Sequence, residues 1–230
     1  MSGPRRPWRR WAALALVALV VLLGIAGAAM VATWRPSPAQ FAVQGVDLDE
    51  RAGAVDWPSV KAAGADFGYV RATAGAGTRD ARFAANWAGL AAAGMRRGAI
   101  HVFSLCRLAA DQAANFVRTV PRSADTLPHA IALDFDPACP SRPDRAVVLG
   151  EIRTLLDAIE THSGKPVLLR VAKPFEAAYR VTEAIDRPLW SVQMFFPPEY
   201  AHRGWRLWQA HPARRVAGAE QPVGWDVVRP

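Results

Sequence analysis

Hydrophobic positions along the chain fall into two regimes. Residues 11–34 are uncharged and dense in Ala, Leu and Val, above all between Leu14 and Leu23. Beyond residue 42 the apolar residues come in short runs separated by longer stretches of mixed polarity. Eight such runs predict strands, at residues 43–47, 67–72, 98–103, 131–135, 167–171, 189–194, 206–210 and 225–228. Helical spacing predicts helices over 83–93, stopping at Gly94, over 109–120, over 145–162 with Gly164 beyond, and a short one near 175–180. Strands alternating with helices argue for a mainly parallel sheet with crossover connections. The later half has too little chain for a helix between every pair of strands. The fold expected is therefore α/β, an irregular TIM-like (β/α) barrel with some helices missing, and an open doubly wound sheet is the alternative. Gly75-Ala76-Gly77, the one Gly-rich stretch after a strand, lacks the Lys of a phosphate loop and the third Gly of a dinucleotide site, so it reads as a turn.

The first regime predicts one N-terminal transmembrane helix before the barrel. At 1.5 Å per residue, roughly 20 apolar residues cross a bilayer core. Arg5, Arg6, Arg9 and Arg10 precede the run and Arg35 follows it, which places the N-terminus in the cytoplasm and exports the rest. A cleaved signal peptide, with a small-residue site such as Ala26-Gly27-Ala28, is the competing reading. Signal peptides carry shorter apolar regions, roughly 7–15 residues, so an uncleaved anchor is preferred. The expected organisation is a basic cytoplasmic tail at 1–10, an anchor at 11–34, a Pro-containing linker at 35–41 and the barrel domain at 42–230.

Charge and composition then change meaning. The 230 residues carry a formal net charge of +8 from 28 basic and 20 acidic side chains, and 51% of them are hydrophobic, too apolar for a disordered chain. Residues 1–35 hold five of the arginines and no acid, which leaves 23 bases against 20 acids downstream. The exported part is nearly balanced and its arginines form no single cluster, so nucleic acid is not an expected partner. Cys106 and Cys139, the two cysteines, both lie in that part. An oxidising compartment favours a bridge between them, two free buried thiols being the alternative. No Cys/His spacing suggests a metal.

Four acids fall in or just after predicted strands: Asp47 on the first, Asp134 and Asp136 on the middle one, and Asp226 on the last. In a parallel barrel the carboxyl ends of the strands converge on the face where active sites sit. A carboxyl within an apolar run is costly to bury unless paired or functional. Glycoside hydrolysis needs such a group to protonate the leaving oxygen and another to stabilise or attack at the sugar. Trp190, Phe195, Phe196, Tyr200, Trp205, Trp208 and Trp225 crowd the last stretch of chain. Core packing explains most such rings, with Trp208 and Trp190 the stronger candidates for stacking on a sugar.

Residues 42–229 resemble glycoside hydrolase family 25, the Chalaropsis-type lysozymes. The resemblance rests on Gly45-Val46-Asp47, Val55-Asp56-Trp57, the run from Val60 to Gly64, Asp66-Phe67, Asp80, Phe83, Asn86, Trp87 and the run from Gly98 to Phe103. It continues through Gly164-Lys165-Pro166, Pro188-Leu189-Trp190, Trp208-Gln209 and Asp226. The resemblance implies a muramidase barrel, with its cleft at the strand carboxyl ends, that cleaves the glycan of peptidoglycan without cofactor or metal. Gln209 is among the candidate substrate-binding residues, and so is His101, which either borders the cleft or is a satisfied buried histidine.

The family's Asp-x-Glu at the end of the middle strand is altered. One register reads it as Asp134-Phe135-Asp136, the acid shortened to Asp136. The preferred register, counted from Leu127-Pro128 toward Cys139, puts Ala132 on the Asp position and Asp134 on the Glu position. The family's Thr-Glu-Gly stands as Thr73-Ala74-Gly75, a Tyr near the fifth strand's end is Arg170, and an Asn is Val228. The expected activity is a peptidoglycan muramidase with Asp134 as acid, its pKa lifted by burial among carboxylates, and with Asp47 and Asp226 positioning the sugar or stabilising positive charge. A catalytically inactive glycan-binding or cell-envelope interaction domain is the alternative.

Overall fold

A computed structural model describes residues 7–230, and residues 1–6 of the expected basic tail lie outside the described residues. The chain divides into two compact units, Met1–Trp34 and Arg35–Pro230. In the first, α1 (Pro7–Thr33) is a single helix. Its Trp11–Thr33 stretch is long and apolar enough to cross a membrane. Leu14, Val17, Leu19, Val21 and Leu22 are all exposed on it, so the helix has no polar face of the kind a surface helix of a globular domain carries.

In the second unit eight strands close into a barrel. They are β1 (Gln44–Leu48), β2 (Phe67–Ala74), β4 (Arg96–Val102), β5 (Ala130–Leu133), β6 (Leu168–Val171), β7 (Leu189–Val192), β8 (Leu207–Arg214) and β9 (Val223–Val228). Each pairs with the next in that order, and β9 returns to β1. A ninth strand, β3 (Thr78–Arg79), folds back on the end of β2 through the Gly75-Ala76-Gly77 turn. The barrel strands β1, β2 and β4 to β8 run parallel, whereas β9 is antiparallel to both β8 and β1. The sheet is mainly parallel, as expected, and departs from a regular TIM barrel in this last strand. A parallel return needs a dozen or more residues. Only residues 215–222 join β8 to β9, so the last strand turns straight back.

Helices α2 (Trp57–Ala62), α3 (Phe83–Ala92), α4 (Ala109–Thr119), α5 (Arg145–Ser163), α6 (Lys173–Tyr179) and α7 (Val181–Ala184) belong to the first five crossings, the last two sharing one, and none follows β7 or β8. The expectation of a barrel with missing helices is met. Alternation sorts each strand into two faces. Phe67, Tyr69, Ile100, Ala130, Ala132, Leu168, Trp190 and Leu207 pack together inside the barrel. Tyr69 and Trp190 meet with ring centroids 4.9 Å apart. A Cβ on Gly98 would overlap the Tyr69 ring, so β4 can pass that ring only as glycine. On the outside, α5 buries Ile152, Leu155, Leu156 and Ile159 completely or nearly so, each contributing about 1.5–3 kcal/mol. Gly164, at φ 71°, ends that helix in the left-handed conformation.

The bridge between Cys106 and Cys139 is formed, with Cα atoms 5.9 Å apart and a sequence separation of 33. It ties the loop after β4 to the loop after β5. In the chain-entropy account such a closure stabilises by about 3–4 kcal/mol.

Candidate active site

An open cleft of about 770 Å³ lies at the carboxyl ends of the parallel strands, its lining including Asp47, Arg71, Ala132, Arg170, Gln209 and Gly224. Most of these occupy the inward parity near the top of a strand. Arg170 follows Leu168 on β6, Ala132 follows Ala130 on β5, and Gln209 follows Leu207 on β8. Asp226 lies beside Asp47, behind the cleft lining. It sits within antiparallel β9, opposite Gly45 of β1 and Gln209 of β8, and not at a strand's carboxyl end as its place in the sequence suggested.

Asp226 is fully buried. Its Oδ1 accepts a hydrogen bond from Trp190 Nε1 at 2.9 Å, while its Oδ2 receives none. Burial, and next the Asp47 carboxylate beside it, push its pKa well above the usual carboxylate range against the opposing pull of Arg170 and Trp190. A proton on Oδ2 gives that atom the partner it otherwise lacks. Asp47 is held from above: its Oδ1 accepts from Gln209 Nε2, and its Oδ2 is 4.0 Å from Arg170 Nη2. Arg170 Nη2 in turn donates to Gln209 Oε1 at 3.0 Å, so both ends of the amide are fixed. A Cβ on Gly224 would overlap Asp47 Oδ1 and fall 2.7 Å from Gln209 Nε2. Only glycine leaves the carboxylate room.

The structure brings Asp47, Asp226, Trp190 and Gln209 together and leaves the other expected residues apart. Asp134 lies one residue past β5 and is exposed, its Oδ1 accepting from Phe135 N at 2.8 Å. The burial expected for it falls instead on Asp226. Asp136 is exposed as well and accepts from Ala138 N at 2.8 Å. Neither lines the cleft, whose floor reaches Ala132. Trp190, Trp208 and His101, expected as substrate-binding candidates, are all buried, at 0%, 1% and 0% exposure. Trp190 donates its indole N–H to Asp226. Trp208 packs between Phe41 and Trp205, at 5.7 and 5.8 Å, and donates to the Gln193 carbonyl. His101 bonds Thr73 Oγ1 at 2.8 Å and Gln112 Oε1 at 3.1 Å, on the face of β4 turned to α4 and away from the cleft.

Arg170, Gly224 and Arg71 are site residues that sequence reasoning missed. Arg71 is gripped by Asp49, Glu50 and Asp80 at the cleft edge. The signal was available for both arginines: a charge at the inward parity near the end of an apolar strand. Among the described residues no group of three or more His, Cys, Asp or Glu is placed to hold a metal ion.

The model of the glycosyl hydrolases family 25 matches residues 46–219. The chain belongs to that family. Among solved structures, this family 25 chain superposes with a TM-score of 0.77 on a family 25 glycosyl hydrolase from Bacillus anthracis, at 26% identity over 83% of this chain and 90% of that one. A lysozyme from Streptomyces coelicolor gives 0.74, at 24% identity over 82% and 92%. Lysozyme M1 of Streptomyces globisporus is 46% identical over 59 residues, which are 26% of this chain and 20% of that protein. The match thus spans a fifth of that relative's length. The uncharacterized protein YegX of Escherichia coli O6:H1 is 24% identical over 196 residues, 83% of this chain and 71% of its own.

In this family 25 barrel Asp226→Asn is expected to flatten the pH dependence of stability. A carboxyl whose folded pKa is raised is most stabilising below about pH 3.9, and that contribution is lost as pH rises toward the folded value, by about 1.4 kcal/mol per pH unit. Asparagine keeps the acceptor for Trp190 and offers Asp47 a donor, with no proton to lose. Urea unfolding at pH 7.5 should find the variant more stable than the wild type, and the order should narrow at pH 4.5. Parallel pH profiles for the two proteins would remove the buried proton.

Proposed function

We propose that the protein is an exported, membrane-anchored N-acetylmuramidase that hydrolyses glycosidic bonds in the glycan of peptidoglycan. The observation that carries this reading is a carboxyl pair in a family 25 barrel, Asp47 lining the cleft and held by Gln209, with Asp226 buried beside it and favouring its proton. Asp134 delivers a proton to the leaving oxygen. Asp47 faces the positive charge that develops at the sugar, and water completes the hydrolysis. Asp226, through its proton, keeps Asp47 oriented. That the cleft floor ends at Ala132 supports the register in which Asp134, and not Asp136, is the acid. The apolar helix supports an anchor at 11–34, after a cytoplasmic tail at 1–10 and before a linker at 35–41 and a barrel domain at 42–230.

A second reading, a catalytically inactive glycan-binding domain, is favoured by Ala132 on the cleft floor, by the Arg170 cation beside Asp47 and by the place of Asp134 outside the lining. Full-length protein in detergent, incubated with purified peptidoglycan, separates the two. Soluble fragments with new reducing ends on muramic acid are expected. Reducing ends on glucosamine overturn the muramidase reading, and co-sedimentation with glycan without release supports the binding domain.

A further inference from the structure

Three guanidinium groups line the cleft, and their partners differ. Arg71 meets Asp49, Glu50 and Asp80 at 3.1, 3.1 and 3.2 Å. Arg51 forks onto the Asp49 carboxylate through Nε and Nη2. Arg170 has no such match. Its Nη2 donates to Gln209 and reaches a carboxylate, Asp47, only at 4.0 Å. That carboxylate is already engaged by Gln209 and lies against Asp226. Arg170 Nε is buried with no hydrogen-bond partner. The side chain is 21% exposed, so most of the cation is out of water.

Apart from Asp47, the residues beside Arg170 in the sheet supply no counter-charge. Its register partner on β5 is Ala132 and on β7 is Trp190, whose ring lies 5.4 Å from the guanidinium carbon. Ala132 and Arg170 both border the open cleft, and a methyl group leaves the space beside the cation unfilled. A largely desolvated cation with one distant carboxylate is under-compensated. Guanidinium matches the geometry of a carboxylate well, and a hydrogen bond between two ions is the stronger kind. An anion entering from the cleft is the partner that this arrangement lacks.

We propose that Arg170 and the space beside Ala132 form a carboxylate-binding subsite, which selects glycan whose muramic acid carries a free lactyl carboxylate. The inference rests on the peptidoglycan reading above and narrows its substrate. In glycan that bears stem peptides, the lactyl carboxyl is consumed in an amide and has no charge to offer. Hydrolysis of that amide adds water across the C–N bond, releases the peptide amine and restores the carboxylate. The reaction class that supplies this substrate is therefore amide hydrolysis at the junction of sugar and peptide.

The test uses full-length protein in detergent and a peptide-free oligosaccharide of N-acetylglucosamine and N-acetylmuramic acid. The same oligosaccharide with its carboxylates converted to methylamides is the control. Isothermal titration should show the wild type binding the carboxylate form about tenfold more tightly, with a preference that shrinks as salt is raised. Arg170→Gln should bind both forms alike, and Arg170→Lys should keep part of the preference. Equal wild-type affinity for the two forms overturns the subsite and leaves the peptidoglycan reading standing, with no variant needed. A preference that survives in Arg170→Gln also overturns it. Failure of the wild type to bind either form overturns both.

Discussion

Replacing Asp134 with asparagine is expected to lower the rate of glycan cleavage by about 100- to 10,000-fold, the range that a positioned general acid contributes. The amide keeps the shape of the carboxyl and has no acidic proton to give, and Asp134 is exposed at the end of β5, outside the packed interior. The variant should therefore fold and unfold as the wild type does, which separates a chemical loss from a structural one. Release of reducing ends from purified peptidoglycan measures the first, and urea unfolding the second. Asp134→Glu carries the argument further. Glutamate reaches about one methylene farther toward a cleft whose floor stops at Ala132, and a small displacement of a catalytic group costs on the order of 100-fold. Activity equal to or above the wild type is expected. Unchanged activity in Asp134→Asn removes the residue as acid, and a comparable loss in Asp136→Asn moves the role to Asp136.

Acid is expected to destabilise the barrel through two histidines. His101 and His129 are both buried, and burial pulls the pKa of each down to about 4, the charges of His162 and Lys165 adding to the effect at His129. In the folded protein both stay neutral at weakly acid pH, whereas the unfolded chain takes up protons from about pH 6.5. The stability they contribute is complete above that value and is lost as pH falls toward 4. Each is expected to cost about 3 kcal/mol across that interval. Asp226 works in the opposite direction and regains stability as pH falls. One carboxyl against two histidines leaves a net loss of about 1.4 kcal/mol per pH unit, a large share of the 5–15 kcal/mol typical of a domain. The urea midpoint should fall steeply between pH 6.5 and 4.5. In His129→Gln it should fall less steeply, and a wild-type midpoint constant over that range would exclude both residues.

The strands were legible in the sequence because each buries both faces, inside the barrel and beneath the helices, and so forms a short apolar run. Their limits were less legible where pairing decides them. Residues 206–210 were expected as a strand, yet β8 continues to Arg214, because antiparallel β9 stays paired with it across irregularities near His211. The helix α2 went unseen, being six residues long. At the site, Asp47 and Asp226 stood out as acids within apolar strands, and the structure brings them together. Direct contact of Trp190, Trp208 and His101 with substrate did not follow from residue type, since the same rings also fill a core. Arg170 and Gly224 were not read as site residues for opposite reasons. The first was noted only as a departure from the family's Tyr, and the second matters for a side chain it does not have.

The antiparallel last strand has a consequence for the order of events during synthesis. Gln44 pairs with Val227 and Asp47 with Gly224, so the barrel is sealed by segments nearly 180 residues apart. A chain made from the N-terminus holds β1 with one edge open until β9 has emerged. Asp47 and Asp226 come from these two strands, so neither the shared proton nor the anchored carboxylate exists before closure. The carboxyl pair is complete only once β9 has joined the sheet, and a nascent chain stalled short of β9 lacks it whatever else has folded.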